Sequence, residues 1–283
     1  MLKQRIITAL VLLAIILPAL FADNTVPFQL IVLLMVSAGG WEWGRMNGLR
    51  HPASLVTAAV VAAGGLLMWS QGWLAQPHFA VWLVAGLAWV LGSVALIKAG
   101  VPSWARIPVV VRWLGGVLAL WVAGAAMVQA RAMGVNFLLS VMALVWAADI
   151  FAYFAGRALG LRFTKNKLAP AISPGKSWEG AWGGALGVLV LAAVWVWADH
   201  AQQASVLSFY SRLFQQGWWL LLVACLFMAA MSVVGDLVES LIKRSAGIKD
   251  SSQLLPGHGG VLDRIDALLP TLPLAMMLTS LVQ

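Results

Sequence analysis

Polar chemistry is scarce in this chain. Charged residues make up 10% of its 283 positions, acids number 10, histidines four, tyrosines two and cysteine one. A single cysteine excludes an intramolecular disulfide, and Cys225, set in an apolar run, reads as a small packing residue. So little charge cannot cover the surface of a soluble fold of this length. No segment is both long and polar enough to fold by itself, so residues 1–283 read as one integral membrane domain. No internal repeat of the kind found in transporters built from inverted halves is visible.

What the chain has instead is apolar helix. The hydrophobic fraction is 62% and the mean hydropathy +0.91, and runs of spanning length recur from end to end. A helix needs about 20 apolar residues to cross the hydrocarbon. The reading is therefore all-α and polytopic, with about nine transmembrane helices at roughly 5–22, 26–44, 53–70, 79–98, 108–130, 135–157, 180–198, 217–242 and 261–281. Residues 1–134 supply N-terminal helices, and residues 135–283 supply helices and loops that carry the chemistry. The start, Lys3 and Arg5 before an apolar stretch to Phe21, is shaped like a signal peptide. Its apolar run is long for one and lacks a good small-x-small site, so it reads as an uncleaved first helix.

The net charge of +8 raises the question of nucleic acid. The basic residues answer it by their positions. With the N-terminus in the cytosol, only Arg131 and Arg212 of the 18 basic residues fall on the far side. The positive-inside rule thus sets N-in and C-out and absorbs most of the charge, leaving no basic face for nucleic acid. Paired tryptophans near helix ends (Trp41 and Trp43, Trp69 and Trp73, Trp195 and Trp197, Trp218 and Trp219) read as an interfacial belt. Gly64-Gly65, Gly115-Gly116 and Gly180-x-x-Gly183-Gly184 fit close helix packing, and such faces are compatible with a homodimer.

Two loops on the N-terminal side concentrate what polarity there is. Loop 157–180 carries Arg157, Arg162, Lys165, Lys167 and Lys176 and the run Ser173-Pro174-Gly175-Lys176-Ser177. This is not a P-loop, because the first glycine is missing and no strand is expected before it. Backbone N–H groups around Gly175, with Lys176 and Ser177 at a helix start, are still suited to a phosphate. The second segment runs from Ser240 to Asp266. It holds Lys243, Arg244 and Lys249, then the turn Pro256-Gly257-His258-Gly259-Gly260, then Asp263-Arg264-Ile265-Asp266. The two aspartates are three apart and share a helical face.

The acids are what topology leaves unexplained. Asp236 and Glu239 sit within one expected span and Asp149 within another, where carboxylates are costly and face a polar cavity or a cation. Carboxylates Asp236, Asp263 and Asp266 amid lysine and arginine suit a Mg²⁺–phosphate complex: acids hold the metal, the metal holds phosphate oxygens, and cations neutralise the rest. Intramembrane carboxylates also mark cation-coupled transporters. That class does not account for the lysine-rich turn with His-Gly-Gly.

The run Ser240-x-apolar-Lys243-Arg244, then Lys249-Asp250, then Leu255-Pro256-x-His258-Gly259-Gly260-apolar-x-Asp263-Arg264-apolar-Asp266 resembles the signature of the phosphatidate cytidylyltransferase (CDP-diacylglycerol synthase) family. The resemblance extends to Asp149 with Tyr153 and Gly156-Arg157, to Lys167 through Glu179, and to Gly235-Asp236. It implies transfer of the cytidylyl group of CTP to phosphatidate, giving CDP-diacylglycerol and pyrophosphate, with Mg²⁺ and room for a second cation. Asp236, Lys243, Asp263 and His258 are then the expected catalytic residues. Asp236, Asp263 and Asp266 are the expected metal ligands, with Glu239 and Asp149 as weaker ones. Lys167, Lys176, Ser177, Ser240, Arg244, Lys249, Gly259, Gly260 and Arg264 are expected to bind substrate; Arg264 is alternatively a salt-bridge partner of Asp236. The expected partners are CTP, phosphatidate and membrane lipids, the compact plan favouring ordinary phosphatidate over isoprenoid or other phospholipid substrates, and the expected setting is a bacterial inner membrane with the site facing the cytosol.

Overall fold

The computed structural model of the protein describes residues 2–76 and 78–282. In chain order the elements are α1 (Leu2–Phe21), α2 (Val26–Met46), α3 (His51–Ser70), α4 (Phe79–Ala99), α5 (Val101–Arg106), α6 (Val109–Met133), α7 (Val135–Leu159), β1 (Lys167–Ala169), β2 (Ser173–Ser177), α8 (Trp178–Ala201), α9 (Phe209–Gln216), α10 (Trp218–Ser245), α11 (Leu262–Ile265) and α12 (Leu268–Leu281). Among the described residues, eight helices are long and apolar enough to cross a membrane: α1, α2, α3, α4, α6, α7, α8 and α10. Their bounds follow the hydropathy reading closely. Large apolar side chains such as Ile6, Leu10, Leu34, Val84, Leu91 and Leu186 point outward, which is stable only against hydrocarbon. The protein is a multi-pass membrane protein.

The expected ninth span at 261–281 is interrupted in its hydrogen bonding at Asp266 and Ala267, although both keep helical backbone angles. Residues 262–265 form one short turn of helix, and α12 has 14 residues, about 21 Å at 1.5 Å per residue against a hydrocarbon core of about 30 Å. Two local features cause the break. Pro270 has no N–H to offer the Asp266 carbonyl, and the Ala267 N–H is taken by the Asp266 side chain at 2.7 Å. Helix α10 packs directly on this break through Gly235, where a Cβ would lie 2.7 Å from the Asp266 carbonyl oxygen.

Small residues set the other close packings. On α8, a Cβ at Gly183 would meet Ala155 at 2.1 Å and one at Gly184 would meet the Ala148 carbonyl at 2.6 Å, so α7 and α8 approach backbone to backbone. Gly64 and Gly116 receive the indole rings of Trp121 and Trp43. Gly115, expected to do likewise, faces open space. The tryptophan belt is also only partial. Trp197, Trp218 and Trp219 are exposed, but Trp43, Trp82 and Trp104 are buried in the bundle. Cys225 is fully buried, as expected of a packing residue.

At the end of the bundle remote from the N-terminus, polar groups are used to hold chain ends. Arg131 donates to the carbonyls of Leu20 and Ala22 at 2.7 and 2.8 Å, satisfying the free end of α1. Buried Asp199 accepts from Asn136 Nδ2, the Ser208 N–H and Ser211 Oγ at 2.6–3.0 Å, which pins the turn before α9.

Candidate active site

The chain returns to one face at the ends of α2, α7 and α10 and at the starts of α8 and α11. Helix α1 begins on the same face: Thr8 Oγ1 donates to the Pro256 carbonyl at 2.9 Å. On α10, Asp236, Glu239, Ser240 and Lys243 follow the i, i+3, i+4, i+7 rule and so share one side of the helix. Ser240 Oγ donates to Asp236 Oδ1 at 3.1 Å. The other Asp236 oxygen, Oδ2, lies 2.6 Å from Lys176 Nζ at the end of β2.

Lys243 Nζ bridges two carboxylates, Glu239 on its own helix and Asp263 Oδ1 at 2.6 Å on α11. Asp263 Oδ2 accepts from the N–H of Ser251 (2.9 Å), Ser251 Oγ (3.0 Å) and the N–H of Gly260 (2.8 Å). Burial alone would raise the Asp263 pKa. The bonds from Lys243 and from the two backbone N–H groups outweigh it and hold the carboxyl below its ordinary value. Asp266 goes the other way: burial and the nearby Asp236 carboxylate push it up.

Asp149, exposed on α7, lies within electrostatic reach of Lys176 and Asp236, and Asp266 within reach of Asp236, Lys243 and Asp149. Glu239 is buried and its Oε1 has no hydrogen-bond partner. Five carboxylates (Asp149, Asp236, Glu239, Asp263 and Asp266) thus gather around two lysines, Lys176 and Lys243, leaving a surplus of negative charge.

The donor set is all hard oxygen, which fits Mg²⁺ by chemistry and charge. Among the described residues, however, no three His, Cys, Asp or Glu side chains converge as a preassembled metal centre. Asp263 bonds to Lys243 and the 251–260 loop, while Asp266 is the neighbour of Asp236; the backbone stays helical from Asp263 to Asp266, so the two remain on one face of the turn.

The structure corrects two further expectations. Arg264 does not pair with Asp236; its Nε and Nη2 donate to the His258 carbonyl at 3.0 and 2.6 Å, and Lys176 takes the place beside Asp236. Loop 157–180 is not strand-free. β1 and β2 form an antiparallel hairpin with Lys167 opposite Ser177 and Ala169 opposite Ser173. Ser177 then caps α8, its Oγ accepting from the Gly180 N–H at 3.1 Å. Glu179 Oε1 holds the preceding chain through the N–H groups of Phe163 (3.1 Å) and Thr164 (2.8 Å).

The glycine turn is built as its composition suggests. Gly257 and Gly259 have φ of +75° and +84°, a region open to glycine at little cost, and a Cβ at Gly259 would lie 2.7 Å from Asp263 Oδ2. His258 sits between them, with its Nδ1 enclosed and unpartnered. Lys167, Arg244, Lys249 and Arg264 are exposed. Lys167 donates to the Pro174 carbonyl and Arg244 to the Ile248 carbonyl.

Sequence reasoning passed over one residue. Glu42, near the end of α2, is wholly buried, and both of its oxygens accept bonds from the 251–262 segment. A carboxylate within an apolar span was the available signal, but nothing local to Trp41-Glu42-Trp43 names its partners.

Known proteins resemble this chain along nearly its whole length. The model of the cytidylyltransferase family matches residues 3–282. A phosphatidate cytidylyltransferase of Pseudomonas aeruginosa is 41% identical over 280 residues, covering 96% of this chain and 95% of that protein. The one from Haemophilus influenzae is 36% identical, with 96% of each chain covered. That of Brucella abortus is 35% identical over 94% of this chain and 89% of its own. With the match running through every spanning helix and both polar loops, the chain belongs to the cytidylyltransferase family.

Proposed function

We propose that this protein transfers the cytidylyl group of CTP to phosphatidate, forming CDP-diacylglycerol and pyrophosphate. One observation carries the reading within the structure: the carboxylate–lysine chains Ser240–Asp236–Lys176 and Glu239–Lys243–Asp263 lie on one face of α10, at a membrane boundary, with acids in excess. A lipid phosphate reaches that boundary, and a nucleotide triphosphate with its metal brings the complementary charge. In the reaction a phosphatidate phosphate oxygen attacks the α-phosphorus of CTP, and the bond to the bridging oxygen of the β-phosphate breaks. The substrate is already the nucleophile, so the protein has to position and neutralise.

Asp236 and Asp263, with Asp266 close to Asp236, are the proposed holders of Mg²⁺; a bound Mg²⁺ would draw charge from phosphate oxygens. Lys176 and Lys243, which neutralise Asp236 and Asp263 here, would be available to phosphate if these carboxylates held the metal instead. Exposed Arg244, Lys249 and Lys167 extend the cationic border, and His258 is the proposed donor to the leaving pyrophosphate. Purified protein given labelled CTP, phosphatidate and Mg²⁺ is expected to release CDP-diacylglycerol and pyrophosphate one to one. Excess chelator should abolish turnover and added Mg²⁺ restore it. Turnover unaffected by chelator sinks the metal assignment, and no product at all sinks the reaction.

The proposed setting is a bacterial inner membrane with this face in the cytosol, where CTP is. The sequence allows a clean test. Cys225 is fully buried, so Lys249→Cys supplies the sole accessible thiol. A membrane-impermeant maleimide is expected to label it in inverted vesicles and to spare it in right-side-out ones. The reverse pattern would overturn the orientation.

A further inference from the structure

The signature segment is held from below by a residue far away in sequence. Glu42 is 0% exposed. Its Oε1 accepts from Ser252 Oγ and from the Val261 N–H at 2.9 Å. Its Oε2 accepts from Ser251 Oγ at 3.1 Å and from the Leu262 N–H at 2.7 Å. Each oxygen thus faces a backbone N–H, of Val261 or of Leu262, that cannot reverse its role, so the site demands an acceptor at both positions, which a carboxylate supplies.

Ser251 links this carboxylate to the proposed catalytic one. Its hydroxyl lies 3.1 Å from Glu42 Oε2 and 3.0 Å from Asp263 Oδ2, and a hydroxyl has one proton to give. Its N–H goes to Asp263 as well, at 2.9 Å. The two acids therefore stand side by side and clamp the base of the 251–262 loop, Ser251 and Ser252 at one end and Gly260, Val261 and Leu262 at the other. His258 and Gly259 hang between these clamped ends. The clamp is tight: a Cβ at Gly260 would lie 2.0 Å from Ser251 Oγ and 2.4 Å from Glu42 Oε1.

We propose that Glu42 is a positioning residue for cytidylyl transfer, acting through Ser251 and the backbone of Val261 and Leu262 to aim the Asp263 carboxylate and the His258 turn. The inference rests on the transfer reading above. Glu42 touches neither substrate nor metal in this scheme. A misplacement of about 1 Å at a reacting group costs on the order of 10²-fold in rate, so the proposed consequence is a kcat effect.

The test compares wild type, Glu42→Gln, Ser251→Ala, Ser252→Ala and the double variant Glu42→Gln/Ser251→Ala in detergent with CTP, phosphatidate and Mg²⁺. Thermal stability is measured on the same samples. Glutamine sets an amide N–H₂ against a backbone N–H whichever way it is turned. It is expected to lower kcat on the order of 10²-fold with little change in KM for CTP. Ser251→Ala keeps the carboxylate and removes the bridge, for a loss of about tenfold. Ser252→Ala removes a bond to Glu42 and the one accepted from the Leu254 N–H, leaves Asp263 untouched, and should cost less than Ser251→Ala. The double variant should lose less than the product of the single losses, because both cut one route.

A lowered melting temperature with kcat per folded enzyme unchanged would show a merely structural role and overturn the inference. So would equal losses for the two serine variants, or independent losses in the double variant. If Glu42→Gln does not fold, the two serine variants decide. An inactive wild type overturns the transfer reading and this inference with it, whereas an active wild type beside unimpaired variants overturns the inference alone.

Discussion

Asp263→Asn is expected to bring CDP-diacylglycerol formation to background, a fall of about 10³-fold or more, while the protein stays folded in detergent. The carboxylate is saturated on both sides. Oδ1 meets the Lys243 ammonium at 2.6 Å, and Oδ2 takes three donors from Ser251 and Gly260. An asparagine keeps the shape but has one amide N–H₂, and either orientation turns a donor against a donor. The negative charge that would meet a metal is also gone. The overall bundle should tolerate the change, because Asp263 sits on a four-residue helical turn beside the apolar core. Activity and size-exclusion profile on the same preparation are the measurement. Wild-type turnover in the variant would remove Asp263 from the chemistry.

Lys243→Met is the second large effect, and here stability falls as well as rate. Lys243 is the one cation bonded to both Glu239 and Asp263 in the described structure, and all three side chains are largely buried. Removing one partner of a buried ion pair costs about 3–5 kcal/mol, because the charge left behind has lost both water and partner. Glu239 is the more exposed to this loss, since its Oε1 already lacks a hydrogen bond. A clear fall in melting temperature together with loss of product is expected. Adding Glu239→Gln to Lys243→Met should recover part of the stability but none of the activity, since the neutral amide no longer needs the cation. An unchanged melting temperature in Lys243→Met would show that the triad carries no stabilising charge balance.

The parts of the molecule legible in the sequence were those with a local cause. Hydropathy located eight spans because each helix meets hydrocarbon along its own length. Asp236, Glu239, Ser240 and Lys243 could be placed on one face because 3.6 residues per turn leaves no freedom within an unbroken helix. The broken last helix was within reach too: Pro270 stands four residues after Asp266, and its missing N–H is a local fact that the apolar run hid.

Other features had no local cause. Nothing in loop 157–180 indicates that Lys167 pairs across a hairpin with Ser177, since the strands are short and polar. Charge alone allows Arg264 to pair with Asp236, yet a carbonyl six residues back in its own loop holds it. Glu42 bonds to Leu262 across 220 positions, and no periodicity or motif spans such a gap.

By itself, then, the sequence determined the solvent, the spans and the chemical inventory: hydrocarbon around the helices, carboxylates and lysines in the two polar loops, and a signature that places the chain in its family. Only the tertiary structure decided the pairing, that is, which lysine faces which acid, where the last helix breaks, and which buried carboxylate grips the loop. The reason is physical. Burial in a membrane is a property of each segment, whereas hydrogen bonds and ion pairs between segments depend on distances that exist only once the helices have packed.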